Sequence, residues 1–358
     1  MGVIDLLLIS SLFIYLPIIG SSETQPLITF GVSVLLMATQ LSKVRVRRWD
    51  VLLFISVFIV ASLNLSILPF KLLIGPLVLI SIGVNKRFSI SPHVFWVIIS
   101  GHVFFELCGQ TGFLSLLPSR YVARGLFETR GISWGHPEPS YFAISLLLLY
   151  YILKLGKTSK LRVFVLFSMA ILTKSLYVYF VLFLLFFPRR INTIGYVSFI
   201  GSVFILFSFN YRIWNLLQVL YSFDLLNLVK RLPSETARLI ANTGSYIAFG
   251  SNPFRVEVLD ERIFWQSYIP DVILQNHEIF RVNNDFSAQT WLTISISYLG
   301  FFAIFAFFYI WRKLIFSNTK IVFILMLVLF QGQATNVSIW LALGLSLVLN
   351  KYYDRRIS

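Results

Sequence analysis

Residues 131–151 read GISWGHPEPSYFAISLLLLYY, so His136 and Glu138 stand two apart at the mouth of an apolar run. Both side chains can take a proton from a hydroxyl, because imidazole titrates near neutrality and a carboxylate serves wherever it is held within reach. Pro139 suits a first helical turn, whose N–H has no partner to lose, and Glu138 then falls at or beside the N-cap. The helix dipole favours the charged carboxylate there by about 0.3 to 1 kcal/mol. Two readings stand with equal weight: a good helix starter, or a general base fixed on a rigid helix end. A third candidate proton acceptor, His277, lies far along the chain.

Cations accompany these groups. Arg120, Arg124 and Arg130 precede the stretch, Arg238 follows it at a distance, and Lys174 interrupts an apolar run as TKS. Guanidinium groups grip phosphate oxygens bidentately and stay charged at a membrane surface. Trp134, Tyr141, Trp265 and Tyr268 supply aromatic faces that suit sugar rings or the lipid interface. Taken singly, each arginine reads as a surface ion pair with an acid such as Glu128 or Glu235, which is worth little. As a group they fit a substrate that carries both phosphate and sugar. His93, His102, His136 and His277 form no HxxxH or HExxH spacing, and GxxxxGK[ST] and GxGxxG are missing, so the expected chemistry uses neither metal nor nucleotide cofactor.

The elements that must position these groups are helices in a bilayer. Of 358 residues, 57% are hydrophobic and 13% charged, and the mean hydropathy is +0.81, which defines an all-α polytopic membrane protein. A net charge of +15 could suggest nucleic acid. The lysines and arginines gather at the ends of apolar segments, however, where orientation in the bilayer accounts for them, and no nucleic-acid partner is expected. Residues 2–20 lack a basic leader and a cleavage site and read as a retained span. The lone Cys108 allows no internal disulfide.

A crossing takes about 20 apolar residues. The apolar segments are 3–20, 26–42, 51–67, 68–84, 92–108, 139–153, 163–187, 191–209, 287–311 and 320–350. The basic junctions KVRVRR at 43–48, Lys86 with Arg87, and KLGKTSKLR at 154–162 belong on the cytoplasmic side. The N-terminus is then cytoplasmic, and loop 109–137 is outside with PEPS at its helix mouth. As a single span, 163–187 would bury Lys174 at about 2.5 to 3.5 kcal/mol. Two short helices, 163–172 and 176–187, with TKS at their apex avoid that, provided protein or water surrounds the apex. A second hairpin is expected at 320–350, interrupted by Gln331, Gly332, Gln333, Thr335 and Asn336. The alternative in each case is one long span with a buried polar belt.

This gives about 10 to 12 membrane segments, both termini cytoplasmic. A bundle at 1–209 carries the outer loop 109–137, a large outer loop covers 210–286, and further spans fill 287–358. The large loop carries PSETARLIANTGSYIAFG, which reads as amphipathic helix from a Ser234 cap, followed by GSNPF.

Arg130 followed after seven intervening residues by EPSYFA, the later TKSLYVYFVLFLL, the arginine-bearing helix with NPF in a large loop, and the span reached through SAQTWLTISISYLGFF together resemble Wzy-type O-antigen and exopolysaccharide polymerases. EPSYFA is the most specific part, and the outline is shared with O-antigen ligases. The resemblance covers most of the chain and implies a GT-C-like glycosyltransferase of the bacterial inner membrane, working on its periplasmic face. Donor and acceptor are both glycans on undecaprenyl diphosphate, and a chain-length-regulating co-polymerase is an expected partner. Under it Glu138, with His136 and His277 as competitors, takes the proton. Arg120, Arg124, Arg130, Arg238 and Lys174 hold diphosphate, and the four aromatics contact sugar. The alternatives are a ligase, or a lipid-linked oligosaccharide flippase that would also use broken helices at TKS and QGQATN.

Overall fold

A computed structural model describes residues 2–13, 27–39, 44, 46–63, 65, 68–84, 89–111, 131–136, 139–156, 158–186, 218, 221, 291–314 and 337–357. Regular structure among them is helical throughout: α1 (Val3–Ile9), α2 (Leu27–Thr39), α3 (Arg48–Leu63), α4 (Ile74–Val84), α5 (Val94–Gln110), α6 (Phe142–Leu155), α7 (Lys160–Leu172), α8 (Leu176–Phe186), α9 (Trp291–Leu299), α10 (Ala303–Leu314) and α11 (Val337–Ile357). The large loop 210–286, apart from residues 218 and 221, lies outside the described residues, and so does the interruption of the second expected hairpin.

Local chemistry sets several boundaries. Asp5 and Asp50 each sit three residues after the residue preceding their helix and reach back to its N–H, Gly2 N at 2.7 Å and Arg47 N at 2.8 Å. Ser159 caps α7 by accepting from Arg162 N at 3.3 Å.

Residues 287–311 were expected as one uninterrupted segment. Instead α9 and α10 are separated by a 3-10 turn at Gly300–Phe302, where Gly300 adopts φ +52°, a conformation open to glycine without steric cost. Among the described residues no helix is both long and apolar enough to cross a membrane. The 17 residues of α5 reach about 25 Å at 1.5 Å per residue.

The centre of the bundle is α6. From Phe142 to Leu149 and from Tyr151 to Leu153 every residue is buried, as a helix apolar on all sides requires. It packs against α5, α7, α8 and α11. On its other side α11 lies against α4, with the Trp340 ring in the space a Cβ at Gly75 would need. Small residues allow such close crossings where helices associate by van der Waals packing. On outward faces, by contrast, large apolar side chains stay open: Leu35 is 61% exposed, Phe58 57%, Phe104 59% and Phe164 68%.

Helices α7 and α8 turn back on one another. Phe167 and Phe186 have ring centroids 4.6 Å apart, whereas 19 residues of unbroken helix would separate them by about 28 Å. The break falls at Thr173–Ser175, the TKS of the sequence, with Lys174 at φ +47°.

Helix ends meet in two places. Asp5 Oδ1 accepts from Ser91 N at 3.0 Å and Arg162 Nη2 donates to Pro92 O at 3.0 Å, joining the starts of α1, α5 and α7. Elsewhere Lys313 Nζ lies 3.3 Å from Asp50 Oδ1, joining the start of α3 to the end of α10. Asp50 is buried and Lys313 largely so, and removing one partner strands the other. Lys313→Met should therefore cost about 2 kcal/mol, read as a fall in Tm. Asp50→Leu also removes the bond to Arg47 N, so the double variant should lose less than the sum of the two single losses, and additive losses would mean that the pair is not coupled.

Candidate functional site

The segment 131–136 is drawn into the bundle. Gly131 lies so close to the end of α7 that a Cβ there would collide with the Leu172 carbonyl oxygen and stand 2.6 Å from the Thr173 carbonyl carbon. Ile132 N donates to Leu172 O at 3.0 Å. The hairpin apex and the stretch leading to PEPS thus share a backbone hydrogen bond. The apex is held from within as well: Thr173 Oγ1 donates to Ala170 O at 2.6 Å and accepts from Ser175 N at 3.3 Å, and the Tyr179 hydroxyl donates to Ile171 O at 3.0 Å. The buried Ser175 hydroxyl has no hydrogen-bond partner among the described residues.

Trp134 and Gly135 both take positive φ, +54° and +77°. For glycine this is free, and a Cβ at Gly135 would in any case lie 2.6 Å from Phe105 Cβ. For tryptophan it costs on the order of 1 kcal/mol, so surrounding contacts must impose it. The indole Nε1 donates to Met169 O at 2.9 Å and the ring packs beside Phe142. Trp134, expected to contact sugar, is buried and offers no open face. In this position the indole ties the 131–136 segment to α7.

His136 is likewise buried. Its Nε2 lies 3.1 Å from Ser145 Oγ on α6, and its ring stands 5.0 Å from that of His102 and 6.1 Å from that of Phe142. Burial holds its pKa well below the usual imidazole value, and the neighbouring His102 pushes the same way. A buried neutral imidazole of this kind orients its neighbours more readily than it meets a substrate hydroxyl.

The sign of its pH effect follows. His136 stays neutral in the folded state and takes up a proton on unfolding below the ordinary value near 6.5. Its contribution is fully present above about pH 6.5 and is lost as pH falls towards the depressed folded value, at up to about 1.4 kcal/mol per pH unit. Replacing His136 by Gln should flatten the fall of Tm between about pH 6.5 and 5. An unchanged slope would assign that sensitivity to other groups.

Two α5 residues not singled out for chemistry complete the polar layer. His102, read from sequence as a packing residue, places Nδ1 3.1 Å from Trp134 O; a carbonyl only accepts, so Nδ1 carries the hydrogen. Glu106 accepts from Gly135 N at 3.2 Å and from Gln110 Nε2 at 2.9 Å. The sequence signal was a histidine and a glutamate four apart in an apolar helix, hence on one face.

Of the expected site residues, the structure ties Trp134 to Met169 of α7 and His136 to Ser145 of α6, with Tyr141 just before α6 and Lys174 at the hairpin apex. Glu138, His277, Arg120, Arg124, Arg130, Arg238, Trp265 and Tyr268 lie outside the described residues. Among the described residues no three His, Cys, Asp or Glu side chains gather as a metal ligand set would. Comparison with family models, with curated proteins and with solved structures finds no match to this chain.

Proposed function

We propose that the chain is a polytopic membrane glycosyltransferase of GT-C-like architecture whose donor is a glycan on a lipid diphosphate. Within that class the reading is a Wzy-type polymerase of the bacterial inner membrane, acting on the periplasmic face. The observation that carries it is the meeting of its two resemblance-bearing stretches. Gly131 and Ile132, which lead into EPSYFA, lie against Leu172 and Thr173 at the TKS apex.

Membrane placement is supported by the apolar outer faces of α2, α3, α5 and α7 set against buried serine, histidine and acid side chains. It is supported too by the two meetings of helix ends. Each joins ends that the expected topology puts on the cytoplasmic side, and the TKS apex stands at the other end of α7 from the first of them.

The reaction has two needs. The acceptor-sugar hydroxyl of one undecaprenyl-diphosphate unit attacks the anomeric carbon of the donor glycan, and its proton passes to a base. The bond from that carbon to the diphosphate oxygen breaks, and undecaprenyl diphosphate leaves with the electron pair. Glu138 serves as base; Arg120, Arg124, Arg130, Arg238 and Lys174 stabilise the leaving diphosphate as charge develops on it. No metal or other cofactor is required where cations of the chain do this. A co-polymerase in the same membrane would set chain length.

Purified protein incubated with synthetic undecaprenyl-diphosphate repeat unit should yield a ladder of lengthening glycans. Transfer only to a lipid A core acceptor would assign a ligase. Lipid translocation with neither product would assign a transporter.

A further inference from the structure

One peptide group in the 131–136 segment is gripped from both ends by α5. The peptide joining Trp134 to Gly135 contributes the Trp134 carbonyl and the Gly135 N–H, which point in opposite directions in a trans unit. His102 Nδ1 meets the first at 3.1 Å and Glu106 Oε2 meets the second at 3.2 Å. These partners are one helical turn apart, about 6 Å along α5, and so match the span of the group they hold. Ser133 Oγ, 3.5 Å from the same Glu106 oxygen, and Gln110 Nε2, 2.9 Å from the other, complete the surroundings of the carboxyl.

The held peptide lies between the only consecutive pair of positive-φ residues among those described. Turning it over would change ψ at Trp134 and φ at Gly135, point the Trp134 carbonyl at the Glu106 carboxylate and break both hydrogen bonds. The orientation of this peptide therefore depends on the grip, while Ile132, the Trp134 indole and His136 are held by contacts of their own. A glutamate only 5% exposed in an apolar helix is otherwise expensive to place.

We propose that Glu106 is a positioning residue which, with His102, clamps the 134–135 peptide and so fixes the chain entering α6 for the transfer reaction. The catalytic part of this inference rests on the polymerase reading above; the clamp itself does not. Glu106 touches neither sugar nor diphosphate in this account. It acts through the segment it holds.

Two measurements on the full-length protein in nanodiscs test it: hydrogen exchange at the Gly135 amide, and steady-state transfer from the synthetic lipid-linked unit. Glu106→Leu removes the acceptor at similar size. Exchange at Gly135 should quicken at least about 10-fold, with exchange in α3 and α10 unchanged. Turnover should fall about 10- to 100-fold, as small misplacements near reacting groups do, with KM for the donor changing by less than about threefold. Glu106→Gln keeps an acceptor oxygen and should restore most of both. His102→Phe, which keeps a ring but loses the donor, tests the other end and serves if Glu106→Leu does not fold. Unchanged exchange in both variants would overturn the clamp. Faster exchange with undiminished kcat would overturn its part in the reaction. If the wild-type protein makes no glycan ladder, the polymerase reading fails there, and the exchange arm alone still decides the clamp.

Discussion

Glu138→Gln should abolish ladder formation while the protein still inserts and melts as the wild type does. Glutamine keeps the size of the side chain and an oxygen that can accept a hydrogen bond at the start of a helix, but it cannot hold a proton taken from a hydroxyl. If Glu138 is the base, turnover falls about 10²- to 10⁴-fold. If it only starts the helix, the cost is at most about 1 kcal/mol of stability and the rate is kept. The two readings of HPEPSYFA are separated by one substitution with two readouts. Arg238→Ala belongs beside it: an arginine stabilising the leaving diphosphate should lower kcat, whereas one in a surface pair should change nothing measurable. Full ladder formation by both variants would remove both residues from the site.

The second large effect is expected at Gly131. Its neighbours are backbone atoms, the Leu172 carbonyl oxygen and the Thr173 carbonyl group, which cannot swing aside as a side-chain tip can. Gly131→Ala should already cost about 1 to 3 kcal/mol as overpacking. Gly131→Val, with two more methyl groups against the same carbonyls, should push the segment off the hairpin and break the Ile132 N to Leu172 O bond. Tm should drop sharply, and exchange at the Ile132 amide should rise with it. Activity should be lost even where folded protein is recovered. A Gly131→Val protein with wild-type Tm would mean that the segment is not seated on the apex.

What could be read from the sequence divides by the kind of signal. The helix break at Thr173–Ser175 was legible, because a lysine in mid-run carries a burial cost that a chain reversal removes. The start of α6 was nearly legible: Pro139 does occupy the first turn, as a 3-10 turn Pro139–Tyr141 before α6 begins at Phe142. The burial of Trp134 and His136 was not. Both stand in a polar, glycine-bearing stretch with no periodicity, and nothing local says that such a stretch folds inward. Tertiary contacts with Met169, Ser145 and Phe142 decide it. The parts played by His102 and Glu106 were hidden for a different reason. Each is a single polar residue in an apolar helix, and its partner is a backbone group whose location no side-chain pattern reveals. The interruption at Gly300 had one glycine as its only mark, and isolated glycines are also tolerated inside helices.

The reversal of α7 onto α8 has a consequence for sidedness. A chain that goes in and comes back makes no net crossing, so the pair could be lengthened or shortened without inverting anything downstream. Only the depth of its tip would alter, by about 1.5 Å for each residue added to both arms. The hairpin then behaves as a gauge. In the membrane placement proposed above, its length would set how far across the bilayer Lys174 is offered, independently of which face the rest of the protein presents.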